Sequence, residues 1–346
     1  MSVFKTTIIT SIKEETAGVK TFTVTYADDS AIPYEAGQFI TFAFTHHGRE
    51  ERRSFSISSS PTDGELLSFT VKRVDNGAYS RLLVDRAKVG DHLQTTGAAG
   101  LFTLPTDMNA YKQVMFFAAG IGITPIFSLI KTILHTQSGK IVTLIYSNRS
   151  KGDTVFYDEL NALAATFPDR FKVEFLYSTA FDLKRARLSK ELIPVLLGEY
   201  VAVPKDQILF YICGPFAYMR MAILALEEQG IHTDHIRKEN FNTNDRQVKK
   251  AEPPDKASHT VTLIHSGQQY QFAVQYPETI LQAAKKQGIS LPYSCEVGRC
   301  GSCAARCTSG QVWLSYNEVL MDMDLKHGAI LTCTGYPVGG DVVIEA

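Results

Sequence analysis

The chain reads as a multidomain protein: an antiparallel β-barrel over residues 1–106, an open parallel-sheet α/β domain over 107–241, a linker at 242–258 and a small cysteine-organised domain over 259–346. Three observations predict this. Before Pro105, apolar and polar residues alternate with period two in short runs. Beyond it, apolar runs become continuous and are separated by helical stretches. Five of the six cysteines then fall beyond residue 290.

Each element follows from its pattern. Thr7–Thr10, Val19–Val24, Gln38–Phe44 and Leu67–Val71 alternate between the two faces of a strand, and turn residues such as Thr62-Asp63-Gly64 separate them. Such density of period-two runs predicts an antiparallel barrel, with one helix beginning near Tyr79. Val114–Ala119 is apolar on both faces, as a strand in a parallel sheet must be. A glycine turn and a helix follow it. Further strands are predicted at Ile141–Ser147, Phe171–Tyr177 and Gln207–Cys213, with helices around 154–166, 189–197 and 215–229. Strands alternating with helices make an open sheet that binds ligands at its strand C-terminal ends. Residues 242–258 are polar, charged and Pro-containing, and cannot bury a core. A hairpin from His259, an amphipathic helix over Glu278–Gln287 and a cysteine loop complete the chain.

Composition narrows the function. With 45% hydrophobic residues, 21% charged residues and a formal net charge of −1, nothing favours a nucleic-acid partner. The longest apolar stretch, Val114 to Ile130, is broken by Gly120, Gly122, Thr124 and Pro125, so it reads as strand–turn–helix and not as a membrane span. The N-terminus turns polar within a few residues, unlike a secretory signal. A reducing cytoplasm is the expected compartment.

Cys295, Cys300 and Cys303 stand in C-x4-C-x2-C spacing, with Cys333 far downstream. This is the plant-type ligand set of a [2Fe–2S] cluster, in which each iron takes two thiolates. Gly298 and Gly301 permit a tight loop whose N–H groups can point at sulfur. Zinc ribbons prefer C-x2-C pairs, and disulfides need an oxidising compartment. Cys307, in a strand-like stretch just past the loop, is expected to pack in the core.

Two barrel segments, Arg53-Ser-Phe-Ser56 and Gly77-Ala-Tyr-Ser80, suit a flavin. Arginine can bind phosphate, an aromatic ring can lie along the isoalloxazine, and a serine can reach its reactive edge. Gly77 and a helix N-terminus can receive a pyrophosphate. Taken singly, each segment equally suits a solvated face. Ala118-Ala-Gly120-Ile-Gly122-Ile-Thr124-Pro125 is a strand-to-helix turn distinct from the G-x-G-x-x-G fingerprint, because proline stands at the third glycine. Its glycines allow a cofactor to approach the backbone, although a purely structural turn also fits. Tyr211-Ile-Cys213-Gly214-Pro215 repeats the strand–turn–helix logic.

Together these segments resemble the ferredoxin–NADP reductase superfamily. The order of domains is similar to the reductase components of multicomponent oxygenases, notably the phenylacetyl-CoA epoxidase type. That type's Y-G-N-R-T and E-R-F-N-T segments resemble Tyr146-Ser-Asn-Arg-Ser150 and Glu239-Asn-Phe241-Asn-Thr243. The resemblance implies a β-grasp ferredoxin domain at the C-terminus. It implies that Arg53 and Ser56 contact FAD, with Ser56 near the reactive nitrogen. Phe55 stands where the family usually has tyrosine, keeping the ring and losing the hydroxyl. Lys72, Arg73, Gly77, Tyr79 and Ser80 would surround the pyrophosphate, Thr124 and Cys213 would face the nicotinamide, and Glu239 and Phe241 would lie beside the flavin. Ser56, Cys213 and Glu239 are the catalytic candidates. Gly120, Gly122, Pro125, Gly214 and Pro215 complete the coenzyme turns.

FAD is expected over FMN because Gly-Ala-Tyr-Ser is less glycine-rich than the FMN pattern. Arg149, just past the second strand of the sheet, is placed for a 2′-phosphate, where NAD sites favour a carboxylate. NADPH is therefore expected over NADH, with Arg187 as a second contact. The implied partner is an electron-acceptor protein, an oxygenase or hydroxylase component, docking transiently on a monomer around Tyr293, Glu296 and Arg299. Phenylacetate degradation is the implied pathway. A stand-alone reductase for ferredoxin or flavodoxin, and a redox sensor without turnover, are the alternatives.

Overall fold

Period-two alternation in the first hundred residues becomes six strands whose apolar faces meet inside a barrel. In the computed structural model, which describes residues 4–46, 49–62, 64–241, 251–265 and 267–346, the chain forms two compact units, residues 2–240 and 241–346. The barrel opens the first. Strands β1 (Lys5–Thr16), β2 (Val19–Tyr26), β3 (Phe39–His46), β4 (Arg49–Ser56), β5 (Ser68–Lys72) and β6 (His92–Ala99) pair in the order β4-β3-β6-β1-β2-β5. All five neighbouring pairs are antiparallel. A bridge between Ile57 and Phe69, with Ser58 N donating to Ser68 O at 2.8 Å, joins the two end strands. Ile9, Phe22, Phe42 and Phe69 fill the interior without exposure, and Phe22 stacks on Phe69 at 5.3 Å. Helix α1 (Ala78–Arg86) lies between β5 and β6 in sequence.

The α/β layer of the same unit has strands β7 (Gln113–Ala119), β8 (Ile141–Asn148), β9 (Phe171–Tyr177), β10 (Ile208–Cys213) and β11 (Ile236–Glu239). They run parallel in the order β11-β10-β7-β8-β9. Helices α2 (Ile123–Thr136) and α3 (Tyr157–Thr166) cover one face, where Val114, Phe116 and Ala118 point. Helices α4 (Leu192–Tyr200) and α5 (Phe216–Glu228) cover the other, where Met115 and Phe117 point. The continuous apolar runs are thus strands buried on both sides. Chain order reverses between β7 and β10, so their C-terminal ends form the switch-point crevice of an open sheet.

Two helices start later than their patterns predict. Phe156 takes a left-handed backbone (φ 61°), which lets its buried ring stack on Phe127 at 4.3 Å, and α3 begins only after it. Ser189 accepts a hydrogen bond from Leu192 N at 3.2 Å, so residues 189–191 form the lead-in to α4.

The second unit is a mixed sheet with one main helix. Strands β12 (His259–His265), β13 (Gln268–Val274), β14 (Ala304–Ser309), β16 (Ala329–Leu331) and β18 (Val342–Glu345) pair in the order β13-β12-β18-β14-β16, and β15 (Val312–Leu314) pairs with β17 (Gly335–Pro337). Of the four pairings in the larger sheet only β12–β18 is parallel. Helix α6 (Ile280–Lys286) starts at a reciprocal capping box between Thr279 and Gln282, and buries Ile280, Leu281, Ala283 and Ala284. Helix α7 (Asp322–Lys326) is a single short turn before β16. This is the β-grasp arrangement.

The region expected as linker divides. Residues 242–250 lie outside the described residues. Residues 251–258 lie against the second unit: Ala251 N donates to Ser315 O at 3.2 Å. Asp255 accepts from Gly339 N at 2.8 Å and from Ala257 N at 2.9 Å, and meets His259 Nε2 at 2.7 Å.

Candidate redox site

The three catalytic candidates meet at the mouth of the switch-point crevice. Parallel pairing sets Cys213, the last residue of β10, beside Glu239, the last of β11. Ser56, the last residue of β4, donates through Oγ to Glu239 Oε2 at 3.4 Å. Burial raises the Glu239 carboxyl from its usual 4.5 to about 8, against the opposing hydrogen bond from Ser56. Cys213 is fully buried, and burial followed by the neighbouring Glu239 charge pushes its thiol well up. At neutral pH the crevice mouth therefore holds a thiol and a largely protonated carboxyl.

Behind these side chains the two glycine turns touch. A Cβ on Gly122 would stand 2.3 Å from Cys213 O, and one on Gly214 would stand 2.9 Å from Ala119 Cβ. Gly120 has φ +53° and open space around it. Tyr146 and Tyr218 brace the turn, donating to Gly120 O at 3.0 Å and Ala118 O at 3.1 Å. Thr124, expected to face the nicotinamide, is buried, and its hydroxyl donates to Ile121 O at 2.8 Å. Pro125 sits buried in the first turn of α2, whereas Pro215 is the exposed residue capping α5.

Just past the C-terminal end of β8, the parallel neighbour of β7, Arg149 is exposed, as is Arg187. Arg185, by contrast, is tied to Glu174 at 2.9 Å and to Glu199. Ser147 and Asn148, both half-buried, lie within reach of the Tyr218 and Tyr146 hydroxyls respectively.

The barrel supplies the flavin half. The Arg53 guanidinium lies 5.0 Å from the centroid of the Tyr79 ring, which stacks on Phe44 at 4.3 Å. Phe55, half-buried, packs toward Phe69 at 5.8 Å. Gly77 caps α1 with no side-chain hydrogen bond and no acidic residue in the first turn, leaving a positive helix end suited to phosphate. A Cβ on Gly77 would fall 2.5 Å from Ser80 Oγ, and that hydroxyl holds the approach by accepting from Val74 N at 3.1 Å. Lys72 is exposed. Arg73 pairs with Asp75 at 2.9 Å and Asp85 at 3.1 Å, as Arg53 does with Glu51 at 2.8 Å. Phe241 is exposed at the start of the second unit.

In the second unit, Glu296 (φ 55°), Gly298 (φ 76°) and Gly301 (φ 75°) place left-handed residues within the cysteine loop. A Cβ on Gly298 would meet Tyr316 O at 2.7 Å. The resulting curl turns backbone N–H groups toward sulfur: Arg299 N to Cys295 Sγ at 3.4 Å and Ser302 N to Cys300 Sγ at 3.5 Å. The thiols associate in pairs. The Cys300 S–H draws Cys295 down to about 6 and is itself pushed up by that contact, and Cys303 and Cys333 repeat the relation in the same order. All four are free of disulfides. Among the described residues no three His, Cys, Asp or Glu side chains converge on one metal ion. Two neighbouring pairs of thiols fit two irons, each with two protein ligands.

Two expectations around the loop are corrected. Arg299 is turned inward: it pairs with Glu318 at 2.9 Å, both side chains only 13% exposed, and Tyr316 donates to the same carboxylate at 2.8 Å. It offers no docking charge. Nothing in the sequence marked Glu318 as its partner, nineteen residues away. Tyr293 lies 3.3 Å beneath Lys285 Nζ, which also pairs with the exposed Glu296 at 2.9 Å. Cys307 is half-buried, not in the core, and its thiol donates to Ser309 O at 3.3 Å.

Family models match all three domains: an oxidoreductase FAD-binding domain over residues 6–104, an oxidoreductase NAD-binding domain over 116–223 and a 2Fe-2S iron-sulfur cluster binding domain over 263–338. The chain is 30% identical to one of the subunits of the 1,2-phenylacetyl-CoA epoxidase of Escherichia coli, covering 100% of this chain and 98% of that protein. It is 33% identical to the ferredoxin reductase component of 3-ketosteroid-9-alpha-monooxygenase of Mycobacterium tuberculosis, covering 92% and 88%. The fold is shared with phthalate dioxygenase reductase at a TM-score of 0.60 and 23% identity, over 99% of this chain and 98% of that one. FAD-binding, pyridine-nucleotide-binding and [2Fe–2S] domains thus follow one another on this chain. The chain belongs to the ferredoxin–NADP reductase superfamily, in its branch of [2Fe–2S]-bearing reductase components of oxygenase systems, and is an NAD(P)H-dependent oxidoreductase.

Proposed function

We propose that this reductase draws its electrons from NADPH and delivers them to a separate oxygenase or hydroxylase component of the phenylacetyl-CoA epoxidase type. The observation that carries this reading is the convergence of Ser56, Cys213 and Glu239 where barrel and sheet meet, with coenzyme turns directly behind them. Bound FAD would supply the exchange between two-electron and one-electron chemistry, and the cluster a one-electron carrier. Arg53, Phe55, Gly77, Tyr79 and Ser80 would hold the flavin. Gly120, Gly122, Thr124, Pro125, Gly214 and Pro215 shape the nicotinamide side of the crevice. Burial disfavours charge on the Glu239 carboxyl, which would keep the crevice mouth closer to neutral beside a bound nicotinamide and flavin. Cys295 with Cys300, and Cys303 with Cys333, would hold the two irons.

Coenzyme choice rests on Arg149, exposed at the end of β8 with Arg187 as its companion. Neither has a carboxylate partner among the described residues, so both suit a 2′-phosphate. Six free cysteines accord with a reducing cytoplasm. Among the described residues no helix is long and apolar enough to cross a membrane. Electron delivery needs only brief contact, which a monomer provides.

Anaerobic stopped-flow reduction of the holoprotein tests the reading. Rapid bleaching of the flavin by NADPH, followed by bleaching of the cluster, is expected. Failure with both coenzymes would refute it in favour of a sensor. Arg149→Ala should raise the Kd for NADPH by about tenfold or more and leave NADH within about twofold. Equal losses for the two would remove Arg149 from coenzyme choice.

A further inference from the structure

Hydride transfer requires donor and acceptor atoms about 3–3.5 Å apart, yet the residues on the two sides of that gap belong to different layers. Ser56 ends a barrel strand, and Gly120–Thr124 belongs to the nucleotide sheet. Helix α2 runs directly out of that turn. Its middle is apolar except for Ser128, Lys131 and Thr132, whose spacing puts them on one side of the helix. All three are buried.

Buried polar groups need partners, and these three find theirs on the barrel segment that continues from Ser56. Ser128 Oγ donates to Ser59 O at 2.5 Å. Thr132 Oγ1 and Ser60 Oγ share a hydrogen bond at 3.0 Å. Lys131 Nζ pairs with Glu65 Oε2, and the same oxygen accepts from Ser60 N at 2.8 Å. From within the barrel, Tyr34 and Ser68 N donate to Ser59 Oγ at 2.7 and 2.9 Å. The path across is short: from Ser56 along three residues to Ser59, over to Ser128, and back about one helical turn to Thr124. Apolar surfaces can slide over one another, whereas directional hydrogen bonds fix a register.

We propose that Ser128, Lys131 and Thr132 are positioning residues: their clasp on Ser59, Ser60 and Glu65 sets the distance between the flavin-edge serine and the nicotinamide turn. The rate of hydride transfer then depends on side chains that touch neither cofactor. This inference rests on the coenzyme-to-flavin reading above, and reduction of the wild-type holoprotein by NADPH checks that reading separately in the same experiment.

The test compares holoprotein variants Ser128→Ala and Lys131→Met with the wild type. Each is mixed anaerobically with NADPH, and both flavin bleaching and the long-wavelength absorbance of nicotinamide stacked on flavin are recorded. At saturating NADPH the bleaching rate should fall by about tenfold or more, with FAD content unchanged and the apparent Kd for NADPH within about twofold. The stacking band should weaken in parallel. If Ser128→Ala does not fold, Lys131→Met carries the test, since its longer apolar stem stays buried. Wild-type rate and band in the folded variants would overturn the proposal. So would slowing that merely tracks lost FAD or weakened coenzyme binding, because the clasp would then be a structural contact only.

Discussion

Glu239 carries a proton that an exposed glutamate would have lost, and this makes its influence on stability depend on pH. Its carboxyl titrates near 8 in the folded chain and near 4.5 when solvated. Between these values the folded state holds a proton that the unfolded state has released, so stability falls as pH rises and the loss is complete above the folded value. The unfolding midpoint of the flavin-free protein should therefore drop from pH 5 to pH 8 more steeply in the wild type than in Glu239→Gln. Matching slopes would show that the carboxyl is solvated. Cys333→Ser should abolish the [2Fe–2S] absorbance and leave flavin reduction by NADPH nearly intact, and a normal cluster spectrum in that variant would falsify the ligand set. The cluster ligands were legible in the sequence because three of them share one short loop and spacing along a loop is a covalent property. Arg73 and Arg299 were not legible as they stand. Asp75 is near Arg73 in sequence, but Asp85 and Glu318 are distant from the arginines they meet, and only the folded chain decides whether a guanidinium meets a phosphate, an acceptor protein or a carboxylate.

Four of the five strands of the sheet were legible nearly to the residue, whereas the short β11 (Ile236–Glu239), with three charged residues in its four, was not predicted. Helix starts were less legible, because they depend on single events such as the left-handed Phe156 or the Ser189 lead-in. The polar stripe on α2 was invisible in sequence, where Ser128, Lys131 and Thr132 read as interruptions of an apolar helix. At the glycine turns the geometry makes a sharp claim. Gly122→Ala should destabilise the first unit by about 1–3 kcal/mol, because the new Cβ would stand 2.3 Å from the Cys213 carbonyl, a rigid backbone atom. Gly139→Ala, where nothing lies within 4 Å, is the matched control. Urea unfolding of the two variants checks the difference, and equal stabilities would mean that the β7 and β10 turns do not touch.

For the molecule as a whole, the order of domains was written in the change of hydrophobic period at Pro105 and in the clustering of cysteines near the C-terminus. The extent of the linker was not, because residues 251–258 are polar and their attachment to the second unit runs through Asp255, whose hydrogen bonds include one to Gly339 far along the chain. The way the barrel closes has a wider consequence. Five of its seams are paired strands, and the sixth is the shorter contact of Ile57–Ser59 with Ser68 and Phe69. A cylinder built this way has a mechanical fault line, and Ser56 borders it. Heating should split the barrel along that line first, so that releasing the flavin and opening the wall become one event. The melting temperature should then climb with the logarithm of added FAD, as for any ligand held only by the closed form. A melting temperature indifferent to FAD would mean that the wall parts elsewhere.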